Sequence, residues 1–534
     1  MPTLNWIGKD KVVKHHQDVQ FKTLEHKYGF TDKKGNQNEQ TNSGNKIIHG
    51  DNLEALKALL PEYEGKIKCI YIDPPYNTGN EKWIYNDNVN HPKINKWLGE
   101  VVGKDGEDFT RHDKWLCMMY PRLKLLHKLL ADEGLIFISL DDNEATFLKI
   151  ILDEIFGENN FIQQIVWKNK YGPGAMTKGF GNIHEYIFCY SKSKIYSIES
   201  NLTEEQQAKY KLKDKYFNVR GGYITQPLAT KSKDDRPNLV FPIKHSGIEI
   251  WPDKQWIWSK ERIQNAYDKE WLRINEKNGK YSVRFKQYLK NENGKMRKGK
   301  PISIMIGPFN QAGTAEMVDI FDSKVFNNPK PLLLIEYLIS MIINGDENNN
   351  GIYLDSFAGS GTLGHAVLNL NKKDGGNRKF IMIEMEDYAN NITAERVKRV
   401  MKGYGKDKNA VEGTGGSFDF YELGKPIFRE DKNLNEEVGE DKIREYIYYT
   451  ETKQYLTRQR EENHKYLLDT FNNTSYYFYY EKDKLTSLDI ETLNVVTEQS
   501  EQYLIYADRC LLDKNYMLKS KIIFKKIPRD IKRF

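Results

Sequence analysis

The chain has 534 residues, 29% charged and 39% hydrophobic, a balance that excludes a disordered or fibrous protein and allows roughly two to four domains. With 81 Lys and Arg against 75 Asp and Glu the net charge is only +6, so any nucleic-acid surface must come from local clustering rather than global charge. Cys69, Cys117, Cys189 and Cys510 form no CxxC pair, and neither an apolar leader core near Met1–Trp6 nor an apolar run of about 18 residues exists; a cytoplasmic protein with no disulfide framework, no metal and no membrane partner is expected.

Residues 1–30 carry Trp6, scattered apolar positions and His15-His16, and are expected to be helical. Thr31 to Asn45 is polar, rich in Gly, Asn and Gln and aperiodic, which predicts a linker or mobile loop. Lys46 to Asp51 reads as a strand ending in Gly-Asp, and Asn52 to Leu60 has helical spacing up to Pro61. The apolar run Cys69-Ile70-Tyr71-Ile72 then delivers Asp73-Pro74-Pro75-Tyr76-Asn77. Strand, helix, strand in so short a span is a βαβ unit, hence a parallel sheet. Asp113 to Leu130 is an amphipathic helix in which Pro121 predicts a kink or break. Leu135 to Leu140 is a strand, Glu144 to Phe156 a helix, and Phe161 to Trp167 and Glu185 to Tyr190 are strands joined by a loop containing Tyr171-Gly172-Pro173-Gly174.

After about residue 195 the βα alternation gives way to polar, aromatic-punctuated sequence. Lys280 to Lys300 holds eight Lys and Arg against Glu292 alone, preceded by Trp251, Trp256, Trp258 and Trp271; basic groups interleaved with rings suit phosphate contact and base stacking. The α/β pattern resumes with an apolar helix from Leu332, a strand Ile352–Asp355, the loop Ser356-Phe357-Ala358-Gly359-Ser360-Gly361-Thr362-Leu363-Gly364 and a strand Lys379–Glu384. Residues 404–534 are Tyr-rich and charged and read as an α+β module.

Gly359-x-Gly361-x-x-Gly364 between a strand and a helix, with Glu384 20 residues on, is a fingerprint for an adenosine-bearing ligand, either a nicotinamide dinucleotide or S-adenosylmethionine. The Asp-Pro-Pro-Tyr turn separates the two. An Asp73 carboxylate and a Pro74 carbonyl can accept both hydrogens of an exocyclic amine, and holding them localises a lone pair otherwise delocalised into a base ring. Tyr76 offers a ring to stack on that base, which must be flipped out of its duplex to arrive.

Asp73-Pro74-Pro75-Tyr76 ahead of Phe357-Ala358-Gly359-Ser360-Gly361-Thr362, with a long insert between, resembles the beta-class N6-adenine DNA methyltransferases, in particular the modification subunits of type III restriction–modification systems. Leu4 to Lys9, Gly50-Asp51-Asn52, Asn328-Pro329-Lys330-Pro331, Asp374 to Phe380, Ile447 to Thr452 and Phe524 to Arg529 add to the resemblance. It implies a circularly permuted Rossmann-like α/β sheet: an N-terminal helical segment and linker (1–45), a catalytic half (46–195), a target-recognition insert (196–325), a cofactor half (326–403) and an α+β C-terminal assembly module (404–534). By the same resemblance Asp73, Pro74, Pro75 and Tyr76 are catalytic. Phe357, Gly359, Gly361 and Thr362 line the methionine end of S-adenosylmethionine with Asp355 nearby, Glu384 holds the ribose, Asp51 the adenine side, and Pro329-Lys330 form another wall. Double-stranded DNA, a second copy of the chain and a restriction–helicase subunit are the implied partners. The alternatives are a solitary adenine or N4-cytosine methyltransferase and, from the glycine loop alone, an NAD-dependent oxidoreductase.

Overall fold

The computed structural model describes residues 3–78, 111–173, 179–231, 234–343 and 349–529, so Gly174 of the expected glycine loop lies outside the described residues. The chain divides into a unit of residues 1–197 with 302–534 and a second unit, Ile198–Pro301.

The larger unit is built on an 11-stranded sheet. In chain order its strands are β1 (Lys22–Thr31), β2 (Gly35–Gln37), β3 (Lys46–His49), β4 (Ile67–Ile72), β5 (Leu130–Leu140), β6 (Phe161–Lys168), β7 (His184–Ser191), β8 (Ile304–Ile306), β9 (Asn350–Asp355), β10 (Asn377–Glu384) and β11 (Ser417–Pro426). Their order across the sheet is β8-β6-β7-β5-β4-β9-β10-β3-β11-β1-β2. The run from β5 through β4, β9, β10 and β3 to β11 is parallel. β4 and β10 are buried along nearly their whole length, as strands covered on both faces must be, which is why they read as continuous apolar runs. The permutation is visible in one pairing: β4 hydrogen-bonds β9, with Ile70 opposite Leu354, although β5 to β8 and the second unit lie between them in the chain. The expected Rossmann-like α/β sheet is the architecture found.

Around it pack helices α1 (Asn52–Tyr63), α2 (Arg111–Leu129), α3 (Ala145–Phe156), α4 (Leu332–Ile339), α5 (Thr362–Asp374) and α6 (Glu395–Lys402). α2 runs through Pro121 as a single helix, so the break allowed by that proline does not occur, because Leu116, Met119, Leu123 and Leu126 are all buried in the core and tertiary packing outweighs one missing donor. Among the described residues no helix is long and apolar enough to cross a membrane.

Four expected boundaries are drawn differently by the structure. The N-terminal segment is helical only in two short turns, Lys9–Val12 and His15–Asp18; Lys22–Thr31 is a strand, its Tyr28 and Phe30 packed on Phe420 and Phe418 of β11. The expected linker carries β2, and Thr41 is tied to Asp419 at 2.8 Å through its backbone N–H and 2.7 Å through its hydroxyl. Residues 302–325 belong to the larger unit rather than to the insert, since β8 pairs in parallel with β6. β11, expected in the C-terminal module, completes the main sheet; the module proper follows it as a four-stranded sheet of Leu467–Phe471, Thr474–Phe478, Gln502–Ala507 and Ile522–Lys526 under the helix Glu440–Thr452. There Arg529 bonds Asp508 at 2.7 and 2.8 Å and fastens the tail.

The second unit has its own core of Leu228, Ile243, Ile250, Trp256, Ile263 and Val283 beside a three-stranded antiparallel sheet of Tyr223–Pro227, Leu272–Lys277 and Lys280–Tyr288. Its tryptophans are not a uniform stacking platform. Trp256 is core and donates to Phe241 O at 2.8 Å, Trp258 packs on Phe285, Arg220 and Lys269 cover Trp271, and Trp251 is exposed. Part of the basic run is likewise internal: Lys286 pairs with Asp214 at 2.7 Å, and Arg284 donates to Thr225. Lys280, Arg297 and Lys300 are exposed.

Candidate active site

Parallel strands end on one edge of a sheet, so β4, β9, β10 and β3 deliver Asp73, Asp355, Glu384 and Asp51 to the same rim. Asp73 follows the last residue of β4, and the two prolines after it fix the turn. The carbonyl of Pro75 accepts from Trp115 Nε1 at 2.7 Å, and Asn77, at φ 57°, bonds Arg111 O at 3.0 Å and the buried Glu144, which His112 also engages at 2.7 Å. The turn is thereby fastened to α2 and to the start of α3.

Asp73 sits in a buried charge cluster. Its Oδ1 lies 2.9 Å from Lys330 Nζ, an ion pair at hydrogen-bonding distance. Lys330 Nζ donates to the Tyr76 hydroxyl at 2.8 Å, and that hydroxyl donates to Glu185 Oε2 at 3.0 Å. Glu185 Oε2 is itself 3.6 Å from Lys330 Nζ, and its Oε1 accepts from Asn169 at 2.5 Å. Burial pushes the Asp73 carboxyl above the usual range, with Lys330 pulling it back. For Lys330 burial acts to lower the pKa, but Asp73 and Glu185 outweigh it and hold the ammonium charged.

The glycine loop forms the facing wall. Asp73, Pro329, Lys330, Asp355, Phe357, Gly359 and Thr362 line one cleft, at whose foot Tyr71 also lies. Glu384 closes the loop from the next strand: its Oε2 accepts from the Gly359 N–H at 2.8 Å and its Oε1 from the Glu386 N–H at 3.0 Å. Gly361 precedes α5 at φ 79°, and a Cβ there would stand 2.9 Å from the Thr393 carbonyl. Gly364 lets α5 approach its sheet, since a Cβ would meet Met382 Cε at 2.7 Å. From behind, the fully buried Arg396 donates to Ser360 Oγ at 3.0 Å and Thr362 Oγ1 at 2.8 Å and lies 3.7 Å from Glu316, whose carboxylate accepts from the first N–H of α4. Gly361→Ala should therefore strain the loop by about 1–2 kcal/mol and weaken cofactor affinity about 10-fold, measured by titration calorimetry.

Asp51 stands apart from the cleft lining. It caps α1, accepting from the N–H groups of Leu53 and Glu54 at 2.8 and 3.2 Å, while Asn52 reaches Ser356 O at 3.0 Å and ties that corner to the glycine loop. Gly361 acts through the loop's course rather than as a lining residue.

The donor set fits S-adenosylmethionine on three grounds. Asp355 is 4% exposed and accepts from the Phe357 N–H at 3.0 Å, and burial beside Asp73 and Glu384 pushes its pKa well above the carboxylate range. Glu384, 6% exposed, is raised by burial to about 7. A rim with this excess of buried acid is suited to a cationic ligand, and the buried Ser356 Oγ has no hydrogen-bond partner of its own. The N-terminus of α5, opened by Gly361, offers free backbone N–H groups to a carboxylate.

Glu185, Asn169 and Arg396 were not singled out from the sequence. Glu185 was readable only as the first residue of a strand; nothing local marks it as facing Asp73.

Residues 67–395 match the family described as DNA methylase. The chain is 31% identical over 458 residues to the type III restriction–modification enzyme EcoPI Mod subunit of Escherichia phage P1, across 75% of this chain and 68% of that protein. It is 32% identical over 366 residues to the StyLTI Mod subunit of Salmonella typhimurium, across 66% and 54%. To the type II methyltransferase M.KpnI of Klebsiella pneumoniae it is 35% identical over 365 residues, across 63% and 80%. The chain thus spans between about half and four fifths of the length of these relatives.

Proposed function

Because the chain belongs to the DNA methylase family, we propose that it transfers a methyl group from S-adenosylmethionine to the N6 amino group of an adenine flipped out of duplex DNA, as the modification subunit of a type III restriction–modification system. The observation that carries this reading is the Asp73 carboxylate at the end of β4, facing across one cleft the glycine loop at the end of the neighbouring β9. S-adenosylmethionine, when bound, supplies an electrophilic methyl group. Phe357, Gly359 and Thr362 would hold its methionine end near Asp355, and Glu384 its ribose. Asp51 bounds the adenine side through the α1 corner, and Pro329-Lys330 form the opposite wall.

On the substrate side, Asp73 and the Pro74 carbonyl accept the two amino hydrogens and concentrate the nitrogen lone pair toward the donor; this is positioning and electrostatic stabilisation, not covalent catalysis. The proton that the amino group sheds has Asp73 as its nearest acceptor. Pro75 stiffens the turn through its bond to Trp115, and Tyr76 presents its ring to the flipped base. The unit Ile198–Pro301, with Lys280, Arg297 and Lys300 exposed, serves as the DNA-reading module. The protein acts in the cytoplasm, as a homodimer, with a restriction–helicase subunit as partner.

M.KpnI, matched over 80% of its length, favours a second reading in which the enzyme works without such a partner. Methyl transfer from labelled S-adenosylmethionine to mixed-sequence duplex DNA, followed by nucleoside analysis, tests both. N6-methyladenine supports the substrate proposed, N4-methylcytosine replaces it, and absence of label with no cofactor binding refutes the reading.

A further inference from the structure

Three charged side chains share the heart of the site: Lys330, Asp73 and Glu185, with side chains only 10%, 12% and 13% exposed. One ammonium between two carboxylates cannot satisfy both equally, and it lies nearer Asp73, at 2.9 Å against 3.6 Å from Glu185. An adenine amino group needs the Asp73 oxygens, but it is neutral and brings no charge to stabilise them. Lys330 must therefore vacate Asp73 Oδ1 without leaving its neighbourhood, because a buried carboxylate with no cation protonates and ceases to accept.

The surroundings of Glu185 meet that requirement. Asn169 holds Oε1 at 2.5 Å, which directs Oε2 toward the Tyr76 hydroxyl at 3.0 Å and toward Lys330. Lys330 also donates to the Tyr76 hydroxyl at 2.8 Å, a bond on the Glu185 side that does not depend on Asp73. The ammonium is thus paired with Asp73 while the Tyr76 hydroxyl tethers it from the Glu185 side.

Resting on the methyltransferase reading above, we infer that Lys330 occupies the target-amine seat on Asp73 in the free protein and that Glu185 is the positioning residue that takes the ammonium up when the base enters. The ammonium has only to close the 3.6 Å that now separate it from Glu185 Oε2. That shift leaves the charge close enough to keep Asp73 ionised while freeing its oxygen. Tyr76, bonded to both partners, reports the exchange to the ring that meets the base.

The test uses the full chain and a duplex whose methylated adenine, mapped beforehand by nucleoside analysis, is replaced by 2-aminopurine. Glu185→Gln should strand Lys330 on Asp73. The fluorescence gain on flipping should fall and KM for the unmodified duplex should rise about 10-fold, with kcat less affected. Lys330→Met removes the cation that keeps Asp73 ionised and so lowers turnover by itself, but it should abolish the dependence on Glu185: in the flipping signal, and in KM for the residual activity, E185Q/K330M should match K330M alone. If K330M fails to fold by thermal melt, Lys330→Gln, neutral but polar, takes its place. A Glu185→Gln deficit that is the same with and without Lys330, or no deficit, overturns the exchange, because a carboxylate that merely props Tyr76 does not need the lysine. A wild-type chain that methylates no DNA instead defeats the function proposed above.

Discussion

Asp73→Ala should lower kcat by about 10²–10³-fold, the usual cost of deleting one preorganised polar group at the point where charge develops. Cofactor affinity should stay within a few-fold of wild type. The separation follows from where the groups sit. Asp73 stands on the cleft wall beside Lys330, whereas the glycine loop proposed to hold the methionine end is fixed independently, by Glu384 from one side and Arg396 from the other. Nor does the substitution leave Lys330 without a counter-charge, since Glu185 Oε2 is 3.6 Å from its ammonium. Single-turnover kinetics with saturating labelled S-adenosylmethionine, beside calorimetric cofactor titration of the same variant, checks both halves. A fully active Asp73→Ala chain would remove the carboxylate from the mechanism.

What could be read in the sequence and what could not divide along one physical line. The parallel core was legible because each βα unit is local: β3, α1 and β4 follow one another, and the apolar runs and the Gly359–Gly364 loop carry their own signal. Pairings between distant segments carry none. Lys22–Thr31 becomes a strand through its partner Ser417–Pro426, on which Tyr28 and Phe30 pack, and its own charged composition favoured neither state.

The same reason hid Glu185. β7 runs antiparallel to β5, so its first residues, not its last, arrive at the catalytic rim. The Asn-Pro-Lys-Pro motif implied a cofactor wall at Pro329-Lys330, and Lys330 lines the cleft, yet a motif names a position and not a reach; only the side chain's course shows that its ammonium meets Asp73. The tryptophans of the second unit make the converse point, since Trp256 was as plausible a stacking ring as Trp251 until one proved core and the other exposed.

Glu384→Ala should weaken S-adenosylmethionine binding about 10²-fold, because it removes both the acceptor proposed for the ribose and the carboxylate that shapes the loop through the Gly359 and Glu386 N–H groups. The carboxyl also gives that binding a pH dependence whose sign can be worked out. Burial raises it from the usual range to about 7, so in the empty protein the acid takes up a proton as the pH falls through neutrality. Between about pH 4.5, its ordinary value, and about 7 the folded chain binds more protons than the unfolded one at this group. The empty protein therefore loses stability as the pH rises across that window and levels off above it. Ligand binding has the opposite slope, since hydroxyl donors and a cationic ligand both select the ionised form: affinity should be full above about pH 7 and fall as the pH is lowered below it. In Glu384→Gln the slope should flatten, leaving a weaker but pH-independent affinity. Calorimetric titrations at a series of pH values between 5.5 and 8.5, roughly a unit and a half to either side of neutrality, separate this from a general loss of fold, which would lower affinity without removing the slope.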